Sequence, residues 1–183
     1  MIFGGAFDPP HLGHTQLAQA VLRSGLADRL IFMPAQSHPF AKNMAPGKDR
    51  LEMLNLLGVE TSDWELRQGG KSYSLNTLNY WQKQHSLDQI TFLIGSDNLP
   101  SFNKWYQYQE LLENYQVFVY PRAGFPFTPV YDNMICLRNF PEIKISSTQV
   151  RETLKNKKSV NKLLDKSTIN YIKEHKLYAG ARD

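Results

Sequence analysis

The sequence predicts an α/β fold: a doubly wound, mainly parallel sheet with helices on both faces. Short strands that are apolar along their whole length alternate with amphipathic helical stretches. Strands of that kind are buried on both sides, which a parallel sheet between two helical layers provides. The first strand also runs into a Gly- and Pro-rich turn that opens a helix. Both features give a Rossmann-like architecture, in which ligands bind beyond the C-terminal strand ends at a switch in strand order. The first turn lacks G-x-G-x-x-G, so it is not the dinucleotide fingerprint, and NAD-dependent oxidoreduction is set aside.

Met1-Ile2-Phe3 form a strand stub, short for its role, because only three residues precede Gly4. Either the strand is clipped or fewer residues serve. Leu17, Ala18, Val21 and Leu22 recur at helical spacing from about Leu12, and Gly25 ends that helix as a C-terminal glycine does. Leu30-Ile31-Phe32-Met33 is a buried strand stopped by Pro34, followed by a loop from Ala35 to Gly47. Leu51, Met53, Leu54 and Leu57 make a short helix face. Ser72 to His85 is a further helix with Leu75, Leu78 and Trp81 inward. Ile90-Thr91-Phe92-Leu93-Ile94 is the strongest strand, ending at Gly95-Ser96-Asp97. Val117 to Tyr120 is another, ending at Pro121-Arg122, and Met134 to Leu137 is a weaker one. Helices over Ser147–Asn156 and Thr168–His175 close the chain. No repeat or low-complexity linker divides it, so residues 1–183 are expected to form one domain with a small C-terminal helical part over about 146–183.

Composition narrows the function classes. A chain of 183 residues buries about 70% of its unfolded surface. The net charge of +4 suits phosphorylated substrates, but basic residues are dispersed except at Lys155-Asn156-Lys157-Lys158. No aromatic-basic recognition motif appears, so nucleic acid is not an expected partner. A single cysteine, Cys136, excludes an intrachain disulfide and a Cys-rich metal site. There is no apolar run of ~18 residues and no signal-peptide pattern, so no membrane partner is expected and the cytoplasm is the expected location.

Two segments carry phosphate chemistry. In Gly4-Gly5-Ala6-Phe7-Asp8-Pro9-Pro10-His11-Leu12-Gly13-His14 the glycines let backbone amides approach a ligand. The helix start adds unpaired N–H groups suited to an anion. His11 and His14, three apart, share a helix face and point the same way. A lone histidine here could be a core residue; two within this frame make a phosphate site with imidazole donors. In Ile145-Ser146-Ser147-Thr148-Gln149-Val150-Arg151 a serine cap leaves helix N–H groups free, hydroxyls add donors, and Arg151 lies a turn in. That segment alone would read as an ordinary cap with a surface arginine. Paired with the first, it supplies donors on a second flank of a triphosphate.

These segments resemble the nucleotidylyltransferase superfamily, and within it the bacterial nicotinate-nucleotide adenylyltransferases. Gly4 to His14 is similar to GGTFDPxHxGH, with Ala6 in place of threonine. Ser72-Tyr73-Ser74-Leu75-Asn76-Thr77-Leu78 resembles SYTxDTL, with Ser74 and Asn76 as departures. Gly95-Ser96-Asp97 matches G(A/S)D, and Trp105 fits the tryptophan that follows it. Ile145 to Arg151 matches ISSTxIR, and Tyr171-Ile172 with Leu177-Tyr178 resembles YIxxxxLY. Where the family has a PPHK-like loop, this chain reads His38-Pro39-Phe40-Ala41-Lys42.

The resemblance implies adenylyl transfer from ATP to nicotinate mononucleotide, giving deamido-NAD and pyrophosphate. It implies His11, His14, Lys42 and Arg151 as catalytic. It implies an ATP site of Gly4, Gly5, Ala6, Phe7, His11, His14, Gly95, Asp97, Ile145, Ser146, Ser147 and Arg151. Lys42, Tyr73, Ser74 and Trp105 would bind the mononucleotide, Trp105 by stacking on the pyridinium. Mg²⁺ would enter on the ATP phosphates, largely water-ligated, with no dedicated protein cage. Transfer to nicotinamide mononucleotide or to phosphopantetheine, a nucleotide-binding module without turnover, and a homo-oligomeric state all stay open.

Overall fold

The computed structural model describes residues 1–37 and 44–178. Its centre is a five-stranded, all-parallel sheet of β1 (Ile2–Gly5), β2 (Ile31–Pro34), β3 (Thr91–Gly95), β4 (Gln116–Tyr120) and β5 (Met134–Cys136). The order is β2-β1-β3-β4-β5. The chain therefore moves outward in one direction from β1 to β2 and in the other from β3 to β5, and the switch lies between β1 and β3. Loops after these two strands diverge and leave a crevice at their C-terminal ends.

Side chains alternate across the sheet with period two. Phe3, Phe32, Leu93 and Phe118 face one core with Leu17 and Val21 of α1 (Leu12–Arg23). Ile2, Ile31, Met33, Phe92, Ile94, Val117 and Val119 face the other. There they meet Leu75 and Leu78 of α4 (Ser74–Gln84) and Leu111 of α5 (Tyr108–Asn114). A third cluster joins Met53 of α2 (Gly47–Leu56) to Val150 of α6 (Ser147–Lys155) and Ile172 of α7 (Lys166–Glu174). It fastens the C-terminal helices beside the sheet.

Several expectations are adjusted. The first strand gains its length from the glycines, since Gly4 and Gly5 pair with Met33 and Pro34. Pro34 does not stop β2 but ends it within the ladder. That is tolerated because β2 is an edge of the five-stranded sheet. The outer side of β2 is partly covered by residues 60–62, where Phe32 N–H donates to the Glu60 carbonyl and Ser62 N–H to that of Phe32. Leu22 stays 45% exposed, because it lies off the stripe of Leu17, Ala18 and Val21. The helix expected from Ser72 begins at Ser74 after Tyr73 in an extended conformation.

Three short elements had no periodic signal: α3 (Trp64–Gln68), a 3-10 helix over Ser96–Lys104, and α5. The 3-10 segment contains Pro100, which has no N–H for an α-helical ladder, and is held by buried Leu99 and Phe102.

Candidate active site

A cleft of about 720 Å³ opens at the C-terminal ends of β1, β3 and β4. His11 caps α1 with an extended backbone, and its N–H donates to Nδ1 of His14 at 3.1 Å. This contact is the histidine version of a capping-box bond, in which the third helical residue reaches back to the cap. It makes Nδ1 of a neutral His14 the acceptor and puts the ring proton on Nε2. The two imidazoles stack with centroids 3.6 Å apart and 16° between planes. Phe7 meets the His14 ring edge-on at 5.0 Å.

His11 is only 2% exposed. Burial, with a smaller repulsion from Arg122, lowers its pKa to about 3. Burial, then His11 and Arg122, also holds His14 well below the usual histidine range. Both rings are neutral donors at pH 7. Nδ1 of His11 is buried without a hydrogen-bond partner among the described residues. Gly13 permits the close packing behind them, since a Cβ there would lie 2.7 Å from Ile143 Cγ2.

The start of α6 faces this pair. Ser146 caps the helix by accepting the Gln149 N–H at 3.1 Å, leaving the N–H groups of Ser147 and Thr148 as first-turn donors. The Ser147 hydroxyl donates to the Pro9 carbonyl at 2.9 Å, so its proton ties α6 to the first loop. Arg151 Nη1 donates to the Asp8 carbonyl at 2.6 Å, and Nη2 to the Thr148 hydroxyl at 3.1 Å. Its side chain remains 38% exposed toward the cleft it lines.

Gly95 closes β3 at a point where the side chains of Asp97, Tyr120 and Arg122 crowd the backbone. A Cβ there would fall 2.2 Å from Asp97 Oδ1 and 2.9 Å from Arg122 Cγ. Arg122 Nε lies 3.6 Å from Asp97 Oδ1, and its Nη1 donates to the Ile145 carbonyl at 2.7 Å. The far end of the cleft is aromatic. Trp105 caps the 3-10 helix, leans on Phe102 at 5.0 Å and 34°, and still lines the cleft. Tyr73 and Tyr106, 4.6 Å apart, line it as well.

A cytidylyltransferase-like family model matches residues 2–153. The nicotinate-nucleotide adenylyltransferase of Bacillus subtilis (strain 168) is 34% identical over 184 residues, covering 97% of this chain and 96% of the relative. The chain belongs to the nicotinate-nucleotide adenylyltransferase family. A probable nicotinate-nucleotide adenylyltransferase of Thermotoga maritima is 37% identical over 163 residues, with 82% of this chain and 79% of the relative covered. Among solved structures, the Plasmodium falciparum nicotinic acid mononucleotide adenylyltransferase complexed with NaAD superposes with a TM-score of 0.82. It is 20% identical, and the match covers 97% of this chain and 95% of that one.

Of the residues singled out by this family's motifs, the cleft brings together Gly4 to Phe7, His11, His14, Gly95 and Asp97. Tyr73, Ser74, Trp105, Ser146, Ser147 and Arg151 line it too. Ile145 is not a lining residue; its carbonyl holds Arg122 and its side chain packs on the Met53 cluster. Lys42, with the His38 to Lys42 loop, lies outside the described residues.

Sequence reasoning missed Arg122, Arg50 and the Asp8 carboxylate. Arg122 follows the C-terminal end of a central strand, and that position was the available signal. Arg50 is 1% exposed and donates to the carbonyls of Ala6, Ala35 and Ala45, binding the loops after β1 and β2 to α2. Nothing local marks it, because all three acceptors belong to other segments or to the loop before its helix. Among the described residues no group of three His, Cys, Asp or Glu side chains is placed to hold a metal ion.

Proposed function

We propose that this chain transfers the adenylyl group of ATP to nicotinate mononucleotide in the making of NAD. The 5′-phosphate oxygen of the mononucleotide attacks the α-phosphorus; the bond from that phosphorus to the bridging oxygen breaks, pyrophosphate leaves and deamido-NAD forms. The attacking phosphate is already an anion, so no covalent enzyme intermediate is required. Catalysis consists of positioning and charge stabilisation.

The reading rests on one observation above others: two stacked neutral imidazoles at the start of α1 face the start of α6 across a cleft whose far end is aromatic. In this reading His14 donates from Nε2 to the oxygen that gains charge, and His11 supports the triphosphate beside it. The α6 N–H groups, the Ser146 hydroxyl and Arg151 hold phosphates from the opposite side, and Lys42 adds positive charge. Trp105 stacks on the pyridinium ring, with Tyr73 and Ser74 beside the ring substituent. Asp97 binds a ribose hydroxyl.

Mg²⁺ fits this set only as a companion of ATP. Asp8 is occupied by Tyr178 and Ala45, and Asp97 lies beside Arg122, so the ion would be carried by phosphate oxygens and water and would neutralise charge there. Cytoplasmic location is part of the proposal; no described helix is long and apolar enough to cross a membrane.

Pyrophosphate release with ATP–Mg²⁺ and each acceptor in turn tests the reading. Turnover with nicotinate mononucleotide well above that with nicotinamide mononucleotide is expected. Turnover with phosphopantetheine and with neither pyridine nucleotide would overturn it.

A further inference from the structure

The Asp8 carboxylate is 4% exposed and sits at a junction of four segments. Its Oδ1 accepts two bonds, from the Tyr178 hydroxyl at 2.6 Å and from the Ala45 N–H at 3.1 Å. Its Oδ2 lies 3.8 Å from Arg151 Nη1, and that same nitrogen donates to the Asp8 carbonyl at 2.6 Å. A buried carboxylate needs partners for its charge, and a charged donor is the strongest it can take. Tyr178 and the backbone hold the charge on Oδ1. Arg151 keeps only a long 3.8 Å ion pair to Oδ2 and gives its hydrogen bond to the carbonyl, with 38% of its side chain exposed.

Tyr178 is built to keep that bond. Burial, and then the Asp8 carboxylate, push its phenol far above the usual tyrosine range, so it is a permanent donor. The C-terminal segment that delivers it is itself fastened. Tyr171 donates to Asp49 at 2.9 Å beside Arg50, and Leu177 and Tyr178 pack on the Met53 cluster.

We infer that Tyr178 is a positioning residue for ATP binding: its hydroxyl occupies the Asp8 carboxylate and so keeps the Arg151 guanidinium available to phosphate. The inference rests on the adenylyltransferase reading for the identity of the nucleotide. The C-terminal segment, 170 residues away in sequence, thereby sets the state of the N-terminal loop.

Tyr178→Phe removes the hydroxyl and keeps the ring. Without that donor, Asp8 draws Arg151 from the cleft. The dissociation constant for ATP–Mg²⁺, measured by calorimetry, should rise about tenfold, while the KM for the mononucleotide changes less than twofold. In an Arg151→Ala background, where there is no guanidinium to capture, the same change should alter ATP affinity less than twofold. Asp8→Asn removes the capturing charge, so Asp8→Asn/Tyr178→Phe should bind ATP within about threefold of Asp8→Asn alone. That pair also leaves no buried charge short of a donor, and serves if Tyr178→Phe does not fold. An equal loss in all backgrounds, or none in the wild-type background, would overturn the inference. Binding alone decides it, so a wild-type chain that binds ATP without using nicotinate mononucleotide would count against the proposed reaction and not against the role of Tyr178.

Discussion

His14 makes two contacts that substitution can separate. Its Nδ1 accepts the N–H of His11 at the helix cap, and its Nε2 is the donor proposed for the leaving pyrophosphate. Replacing it by alanine removes both. Loss of the cap bond costs about 1 kcal/mol of stability, and loss of one donor to a developing oxyanion costs about 10²–10³-fold in kcat, or about 2.7–4 kcal/mol. Glutamine is the informative partner, because at the third helical position its amide oxygen reaches back to the cap N–H as Nδ1 does here. His14→Gln should therefore recover most of the stability lost in His14→Ala and little of the rate. Pyrophosphate release under saturating ATP gives kcat, and thermal melting gives the stability arm. A folded His14→Ala chain within about threefold of wild-type kcat, or a His14→Gln chain restored in both, would refute the division of roles.

Three further outcomes are expected. The folded chain holds both imidazoles neutral, His11 down to about 3, against an unfolded value of about 6.5. The unfolded state therefore takes up the protons first; stability is complete above pH 6.5 and falls below it by about 1.4 kcal/mol per pH unit for each imidazole. Denaturant midpoints between pH 7 and 5 should show this slope, and a flat profile would contradict it. Trp105→Ala should raise the KM for the mononucleotide about two- to thirtyfold and leave that for ATP nearly constant. Phenylalanine should restore part of the loss, whereas equal effects on both substrates with a lowered melting temperature would reduce Trp105 to packing against Phe102. Arg50→Met leaves the carbonyls of Ala35, in a buried bond, and of Ala6 and Ala45, in part-buried ones, without their donor and should destabilise by about 3–5 kcal/mol in urea titration. A loss below about 1 kcal/mol would mean that other groups replace it.

What the sequence determined by itself was local. The strands at Ile31, Thr91 and Gln116 rest on continuous apolar runs, and the helix start after His11, the paired imidazoles and the Ser146 cap on contacts within four residues, so pattern alone reveals them. The motif segments also carried the family. The 3-10 helix after Gly95 and the short helices α3 and α5 were not legible, because too few turns exist for a periodic stripe and packing of Leu99, Phe102 and Leu111 decides them.

Tertiary structure alone decided which residues share the site. The order β2-β1-β3-β4-β5 puts the switch between β1 and β3, and that order brings Arg122 against Asp97. Ser147 reaches Pro9 across 138 residues, Arg50 reaches Ala6 across 44, and Tyr178 reaches Asp8 across 170. A buried charge or hydroxyl must find a partner, but the partner is whichever group the folded chain places beside it. No spacing in the sequence encodes that meeting.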